Sequence, residues 1–263
     1  GYSLQAPRKT EEGGEHPDRD KQFAHIDEQV GKFQAPGLPA ISVDTRKKEN
    51  IGNYANKGRE YQPKGRPRHV RAYDFVDKTL GKVSPYEICD IGRNEGFVNV
   101  GISRDTAEFA VNSIRAWWHE MGQPAYPNPA KLLITADGGG SNGSRVRLRK
   151  TELQRFADES DLDVHVCHFP PGTSKWNKIE HKMFCHISRN WRGRPLTSRE
   201  AVVSLIRNTT TTKGLRIRAK LDERTYEKGR KISDSELAAV NIEHAEFCGK
   251  WNYTIRSNHK AKV

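Results

Sequence analysis

Three acidic residues, far apart in the chain, stand where carboxylates can gather. Asp44 closes the apolar run Ile41-Ser-Val-Asp44, Asp137 closes Leu132-Leu-Ile-Thr-Ala-Asp137, and Glu180 follows Trp176-Asn-Lys-Ile in a stretch of helical periodicity. Two strand-end aspartates and a face-aligned glutamate can meet at one edge of a sheet, where carboxylate oxygens suit hard divalent cations. Taken singly, each has a plainer reading: a strand-end cap for Asp44, an Asp-Gly turn for Asp137, an ordinary ion pair for Glu180. The trio matters because of the chain that carries it. With 45 Lys plus Arg against 33 Asp plus Glu, the net charge is +12, which favours polyanionic partners, nucleic acid foremost. Metal-binding carboxylates on a basic protein point to phosphodiester chemistry.

At 263 residues the chain can bury a substantial core, and one decorated domain is expected. No apolar run approaches the roughly 18 residues of a membrane-spanning helix, and no signal-peptide pattern opens the sequence, so the expected compartment is the cytoplasm, at the nucleoid for a DNA-binding chain. Cys89, Cys167, Cys185 and Cys248 form no C-x-x-C pair, and buried free thiols are expected rather than disulfides. His165, His168, His181 and His186 lie near two of them, but the spacing matches no common zinc template. The chain opens on Gly1 instead of an initiator Met, as a fragment would.

The elements that must position the acids can be read from periodicity. A polar stretch over residues 7–22 precedes Phe23, Ile26 and Val30 at helical spacing, a linker and a short helix ended by Pro36-Gly-Leu-Pro39. Residues 39–44 read as a buried strand. From Arg46 to Arg71 nine basic residues face two acidic ones, with Tyr54 and Tyr61 interleaved, which describes a DNA-facing arm better than a core. Residues 86–90 and 97–102 read as paired strands. Asp105-Thr-Ala-Glu108 offers a cap to a helix carrying Ala107, Ala110, Val111, Ile114, Trp117, Trp118 and Met121 on its apolar stripe. A strand at 131–136, a helix at about 145–160 and a strand at 163–169 follow. The order is β, basic insertion, β, β, α, β, α, β, α, which is a ribonuclease-H-like layout.

In the last helix Trp176, Ile179, Met183, Phe184, Ile187 and Trp191 mark the buried face, with Glu180 among them or at their border. A buried carboxylate needs a partner or a metal. Lys175, Lys178, Lys182 and Arg189 stripe another face, suited to phosphate. Asp137-Gly-Gly-Gly-Ser-Asn142 allows close backbone approach to a ligand or positive φ, but it lacks the P-loop ending and the dinucleotide frame.

Longer motifs add to this reading. They are Ser42-Val-Asp-Thr-Arg-Lys-Lys-Glu49 with Gly52-Asn53, Asn94-Glu-Gly-Phe-Val-Asn-Val-Gly101, Asp105-Thr-Ala-Glu-Phe-Ala110 and Ile134-Thr-Ala-Asp-Gly-Gly-Gly-Ser-Asn142. His168-Phe-Pro-Pro-Gly-Thr-Ser-Lys-Trp-Asn-Lys-Ile-Glu-His181, Asn190-Trp-Arg-Gly-Arg-Pro-Leu-Thr197 and Trp251-Asn-Tyr-Thr-Ile255 extend the match over nearly the whole chain. The sequence resembles the DDE transposase/integrase superfamily, in detail the bacterial insertion-sequence transposases of the Rhodopirellula transposase DDE family. The resemblance implies an α/β, ribonuclease-H-like mixed sheet flanked by helices, with a basic insertion after the first strand. It implies that Asp44, Asp137 and Glu180 are the catalytic and metal-binding triad for two Mg²⁺ or Mn²⁺ ions, Asp44 bridging them.

The DNA-contacting set expected with it is Arg46, Lys47, Lys48, Arg59, Lys64, Arg66, Lys175, Lys178 and Lys182, with His181 a candidate for positioning water or phosphate. The implied organisation is a linker and short helix over residues 1–38, the remnant after a missing DNA-binding region. A catalytic domain over 39–213 follows, with a basic arm at 45–84, then a basic C-terminal extension over 214–263 that ends in a helix capped at Ser233-Asp-Ser-Glu236. The implied activity is DNA cleavage and strand transfer on double-stranded element ends and target, by a homodimer or higher oligomer and with no membrane partner. A ribonuclease-H-like nuclease that never joins, and a catalytically silent DNA-binding module, are the alternatives.

Overall fold

The computed structural model describes residues 2–7 and 16–259; part of the expected N-terminal linker, residues 8–15, lies outside them. In chain order the elements are α1 (Arg19–Gln34), β1 (Ala40–Thr45), β2 (Glu49–Asn50), β3 (Lys82–Asp90), β4 (Glu95–Gly101), α2 (Ala107–Trp117), α3 (Gln123–Ala125), β5 (Lys131–Ala136), α4 (Arg147–Ser160) and β6 (Asp163–His168). Then come α5 (Cys185–Asn190), α6 (Arg199–Arg207), β7 (Arg216–Asp222), α7 (Asp234–Ala238), β8 (Ile242–His244) and β9 (Asn252–Ile255). The sheet order is β7-β4-β3-β1-β5-β6-β9-β8, with β2 paired to β3. The expected mixed sheet is present: β1 runs antiparallel to β3 and parallel to β5.

Strand alternation decides which residues face which layer. Ile41, Val43, Tyr86, Ile88, Phe97, Leu132 and Ile134 point to one face, where the apolar sides of α2 and α4 cover them. Trp117 and Trp118 are buried there, as their place on the stripe requires. Cys89, Val98 and Val100 point to the other face, under Ile179, Met183, Ile187 and α6. On that same face α1 lays Ile26, Val30 and Phe33 over Ala40 and Leu133.

Two expectations are corrected, and the basic C-terminal segment after residue 213 joins the sheet: β7 pairs with β4 at one edge, and β9, with β8 beyond it, pairs with β6 towards the other. In β7 the apolar Ile217, Ala219 and Leu221 alternate with Arg216, Arg218 and Lys220, so the charges are one face of an edge strand. The Ser233/Glu236 capping box is present on α7. The cap of α2 is Thr106, whose side chain accepts from Phe109 N, which leaves Asp105 outside the helix. Finally, all four cysteines are free, but only Cys89 and Cys167 are buried.

The basic arm has no regular structure between Ile51 and Gly81, yet its first half is anchored. Gly52 N donates to Leu196 O at 2.8 Å, and Gly193 N donates to Lys57 O at 3.1 Å. Gly193 has φ +72°, and a Cβ there would stand 2.7 Å from the Arg59 carbonyl carbon. Only glycine lets these two backbones touch, which gives the Trp191-Arg-Gly-Arg194 motif a structural reason.

Candidate active site

Register brings the two aspartates together. In the parallel β1–β5 pair Val43 lies opposite Ala136, so Asp44 and Asp137 leave the C-terminal ends of adjacent strands, about 4.8 Å apart in a sheet. Asp44 is buried and lies directly across β3 from Glu87, which has no exposed surface. Facing pairs project to the same side, so Glu87 joins the acidic edge from behind. Asp105, freed from capping, enters through Thr45: Thr45 Oγ1 lies 3.5 Å from Asp105 Oδ1 and 3.1 Å from Ser141 Oγ.

Glu180 comes from above. Residues 174–176 form a 3₁₀ turn and Glu180–Phe184 a π-helical turn ahead of α5, so the expected regular helix is broken at Glu180; such π-bulges are frequent at functional sites. The break rotates the early residues off the stripe. Trp176, expected in the buried face, is 52% exposed, while Ile179, Met183, Phe184, Ile187 and Trp191 are buried as expected.

Two features set this segment against β1. Asn177, fully buried, accepts a hydrogen bond from Ser42 Oγ and donates from Nδ2 to Val43 O at 3.3 Å, so it grips the two residues preceding Asp44. Gly96 on β4 makes room for Met183: a Cβ there would stand 2.3 Å from the sulfur.

Arg46, expected in the DNA-facing arm, turns inward. Its guanidinium donates to Phe184 O at 3.3 Å and Ser188 Oγ at 2.8 Å, and it stacks 4.2 Å from the Trp191 ring centroid. It also lies 3.9 Å from Glu87. Period two explains this: Arg46 shares the face of Ser42 and Asp44.

The electrostatics are those of crowded like charges. Burial, then Asp137, raises the Asp44 pKa to about 7; Glu180 and Asp105 push the same way, against the Thr45 N–H. Glu87 is raised to about 8 by burial, against the pull of Arg46. Asp137 is raised by burial, while Arg149 and hydrogen-bonding contributions from the Gly139 N–H and the Asn142 side chain hold it down. Glu180 is raised by burial and lowered by Arg46 and His181. Asp137, Glu180, Asp105 and Glu87 thus each feel an opposing cation, whereas the leading influences on Asp44 other than the Thr45 N–H all raise it.

Among the described residues no group of three or more His, Cys, Asp or Glu side chains is drawn together tightly enough to grip a metal ion as it stands. The donor chemistry nevertheless fits Mg²⁺ or Mn²⁺: hard carboxylate oxygens with raised pKa values, Asp44 the most crowded by like charge.

The remaining expected residues are dispersed. Lys47, Lys48, Arg59, Lys64 and Arg66 are exposed. Lys178 forms an ion pair with Asp27 at 2.8 Å, Lys182 donates to Ile91 O at 3.3 Å, and Lys175 lies 5.5 Å from the Trp176 ring centroid. Each of these three cations thus also has a contact within the protein. His181 Nε2 lies 2.9 Å from Lys175 O, on the exposed side.

The glycine loop after Asp137 is held rather than open. Of Gly138, Gly139 and Gly140 only the last has positive φ. His168, kept neutral by burial with its pKa lowered to about 3, places Nδ1 3.0 Å from Asp137 O. A carbonyl only accepts, so Nδ1 carries the proton and Nε2 accepts from Tyr253 Oη at 3.2 Å.

The transposase DDE domain described for Rhodopirellula matches residues 1–257. The chain belongs to that family. No curated protein matches the sequence. Among solved structures, the mariner Mos1 paired-end complex with Mg shares 11% identity at TM-score 0.50, covering 77% of this chain and 57% of that one. The Mos1 strand transfer complex shares 10% at TM-score 0.47, covering 77% and 56%. This DDE-family chain therefore spans a little over half the length of those relatives, and the likeness concerns the ribonuclease-H-like fold. No helix among the described residues is long and apolar enough to cross a membrane.

Proposed function

We propose that this chain is the catalytic part of an insertion-sequence transposase that cleaves and joins double-stranded DNA, with Asp44, Asp137 and Glu180 as its catalytic and metal-binding residues. The observation that supports this most is the pair of strand ends: parallel register makes Asp44 and Asp137 neighbours, and Asn177 ties the Glu180 segment to the same strand. Asp44, Asp137 and Glu180 would hold Mg²⁺ or Mn²⁺, which when bound would activate the attacking water or 3′-hydroxyl and neutralise charge on the leaving oxygen. The chain's own residues do the rest. Arg46 stabilises the far side of Glu87 and Glu180, and the Gly139 N–H and Asn142 orient Asp137. Element ends and target DNA are the substrates, and joining two ends calls for at least two copies of the chain, working at the nucleoid in the cytoplasm.

The test is product analysis on end-labelled duplex DNA in Mg²⁺. Nicked strands and strand-transfer products together are the expected outcome. Nicks without joined products would leave a nuclease, and DNA binding without cation-dependent cleavage would leave a silent module.

The exposed cations of the arm, Lys47, Lys48, Arg59, Lys64 and Arg66, are expected to contact phosphates, whereas Arg46, Lys178 and Lys182 are occupied within the protein. Neutralising Lys47, Lys48 and Lys64 together should flatten the log–log dependence of DNA affinity on salt by roughly 0.9 for each phosphate no longer neutralised. Lys178→Ala should leave that slope unchanged. A slope unmoved by the triple substitution would reduce the arm to a solvated loop.

A further inference from the structure

Arg149, on the first turn of α4, has no exposed surface. Its Nη1 donates to Asn142 Oδ1 at 2.7 Å, Tyr86 and Tyr253 lie against the same guanidinium, and Nε and Nη2 make no well-formed hydrogen bond. A fully buried guanidinium with much of its donor fork unused is costly to fold around, and an apolar side chain of similar volume would commonly serve stability as well or better. A second donor reaches the same acceptor: Tyr86 Oη, also fully buried, donates to Asn142 Oδ1 at 2.7 Å. Burial keeps that hydroxyl protonated.

Two donors on one amide oxygen fix the orientation of the amide, because a flipped Asn142 would turn its NH₂ toward the Arg149 guanidinium, which can only donate. Asn142 itself ends the short helical turn Gly140–Asn142 that follows Asp137. With the oxygen engaged, the NH₂ group is left for the Asp137 side.

We propose that Arg149 and Tyr86 are positioning residues that act through Asn142, locking its amide so that Nδ2–H holds the Asp137 carboxylate in place. The relay runs across the sheet from the α4 layer, opposite the face on which Arg46 supports the Glu180 segment. The fold thus carries an arginine on each side of the acidic edge, Arg149 fully buried and Arg46 half-buried. The inference rests on the reading of Asp137 as a functional carboxylate, but its geometry can be tested without catalysis.

The test uses the full chain, metal-free and ¹⁵N-labelled, as wild type, Arg149→Met, Arg149→Lys and Tyr86→Phe. In wild type the Asn142 side-chain NH₂ protons should exchange with solvent at least about tenfold more slowly than those of an exposed asparagine. Arg149→Met and Tyr86→Phe should each lose most of that protection. In Mg²⁺, DNA cleavage per folded protein should fall roughly 10- to 100-fold in Arg149→Met, as for misplacement of a group near the reacting centre, and recover in part in Arg149→Lys.

A purely structural Arg149 would change melting temperature and leave both the Asn142 exchange and the cleavage rate per folded molecule as in wild type, which would overturn the proposal. If Arg149→Met does not fold, Tyr86→Phe, which removes one oxygen, decides by the same two readouts. Should wild type fail to cleave any DNA, the proposed function falls while the exchange measurement still decides the relay.

Discussion

Asp44→Asn, Asp137→Asn and Glu180→Gln are each expected to lower cation-dependent DNA cleavage by on the order of 10³-fold or more while the fold survives. Each substitution keeps shape and removes one anionic donor, and an amide oxygen cannot replace carboxylate charge at a divalent cation. The groups act as one unit, so combining two substitutions should cost little more than either alone. Survival of the fold follows from the electrostatics: Asp44 is crowded by Asp137, Glu180 and Asp105, so removing its charge relieves repulsion. Cleavage assays on labelled duplex in Mg²⁺ and Mn²⁺, with melting curves for each variant, check both halves. Wild-type cleavage by any of the three would remove that residue from the site.

The second large effect is on stability. The Asp44 pKa is raised from 3.8 to about 7 and that of Glu87 from 4.5 to about 8. A carboxyl whose folded pKa is raised binds protons more tightly in the native state, so stability falls as pH rises from the unfolded pKa to the folded one. The metal-free protein should therefore lose stability between about pH 4 and pH 8. With about 1.4 kcal/mol for each tenfold difference in proton affinity between the folded and unfolded chain, Asp44→Asn should be more stable than wild type at pH 8 by roughly 1–4 kcal/mol. Glu87→Gln should flatten the upper part of the same curve.

A bound cation reverses the sign for wild type alone. At a concentration of 100 times Kd it should add about 2.7 kcal/mol, and Asp44→Asn should not respond. Urea denaturation across pH, with and without Mg²⁺, measures all of this. A wild-type curve that is flat or rising from pH 4 to 8 would refute the crowding.

Much of the site was legible because its signals were local. Asp44 and Asp137 each end an apolar run, and the alternation of later strands with helices implied that those runs pair. The central order β4-β3-β1-β5-β6 sets the two runs side by side.

What escaped depended on register or on competing local readings. Glu87 sits in a recognised strand, but only the Asp44–Glu87 pairing reveals that it faces the acids. Asp105 fitted a capping pattern that Thr106 fulfils instead. Arg46 was hidden by its basic neighbours, although period two places it on the Asp44 face. Asn177 and Arg149 gave no signal, since a buried amide and a buried guanidinium look like surface residues until partners from distant strands are known. Charge density also masked β7, whose alternation of Ile217, Ala219 and Leu221 with basic residues is the pattern of an edge strand.

The central claim is that Asp44, Asp137 and Glu180 converge on divalent metal. Anomalous diffraction from crystals of the chain soaked in Mn²⁺ measures it directly. The account predicts manganese peaks within coordination distance of Asp44 and Asp137, with Glu180 drawn in to complete the set. Manganese bound elsewhere, at a concentration that supports cleavage, or bound with Glu180 left outside its coordination sphere, would contradict it.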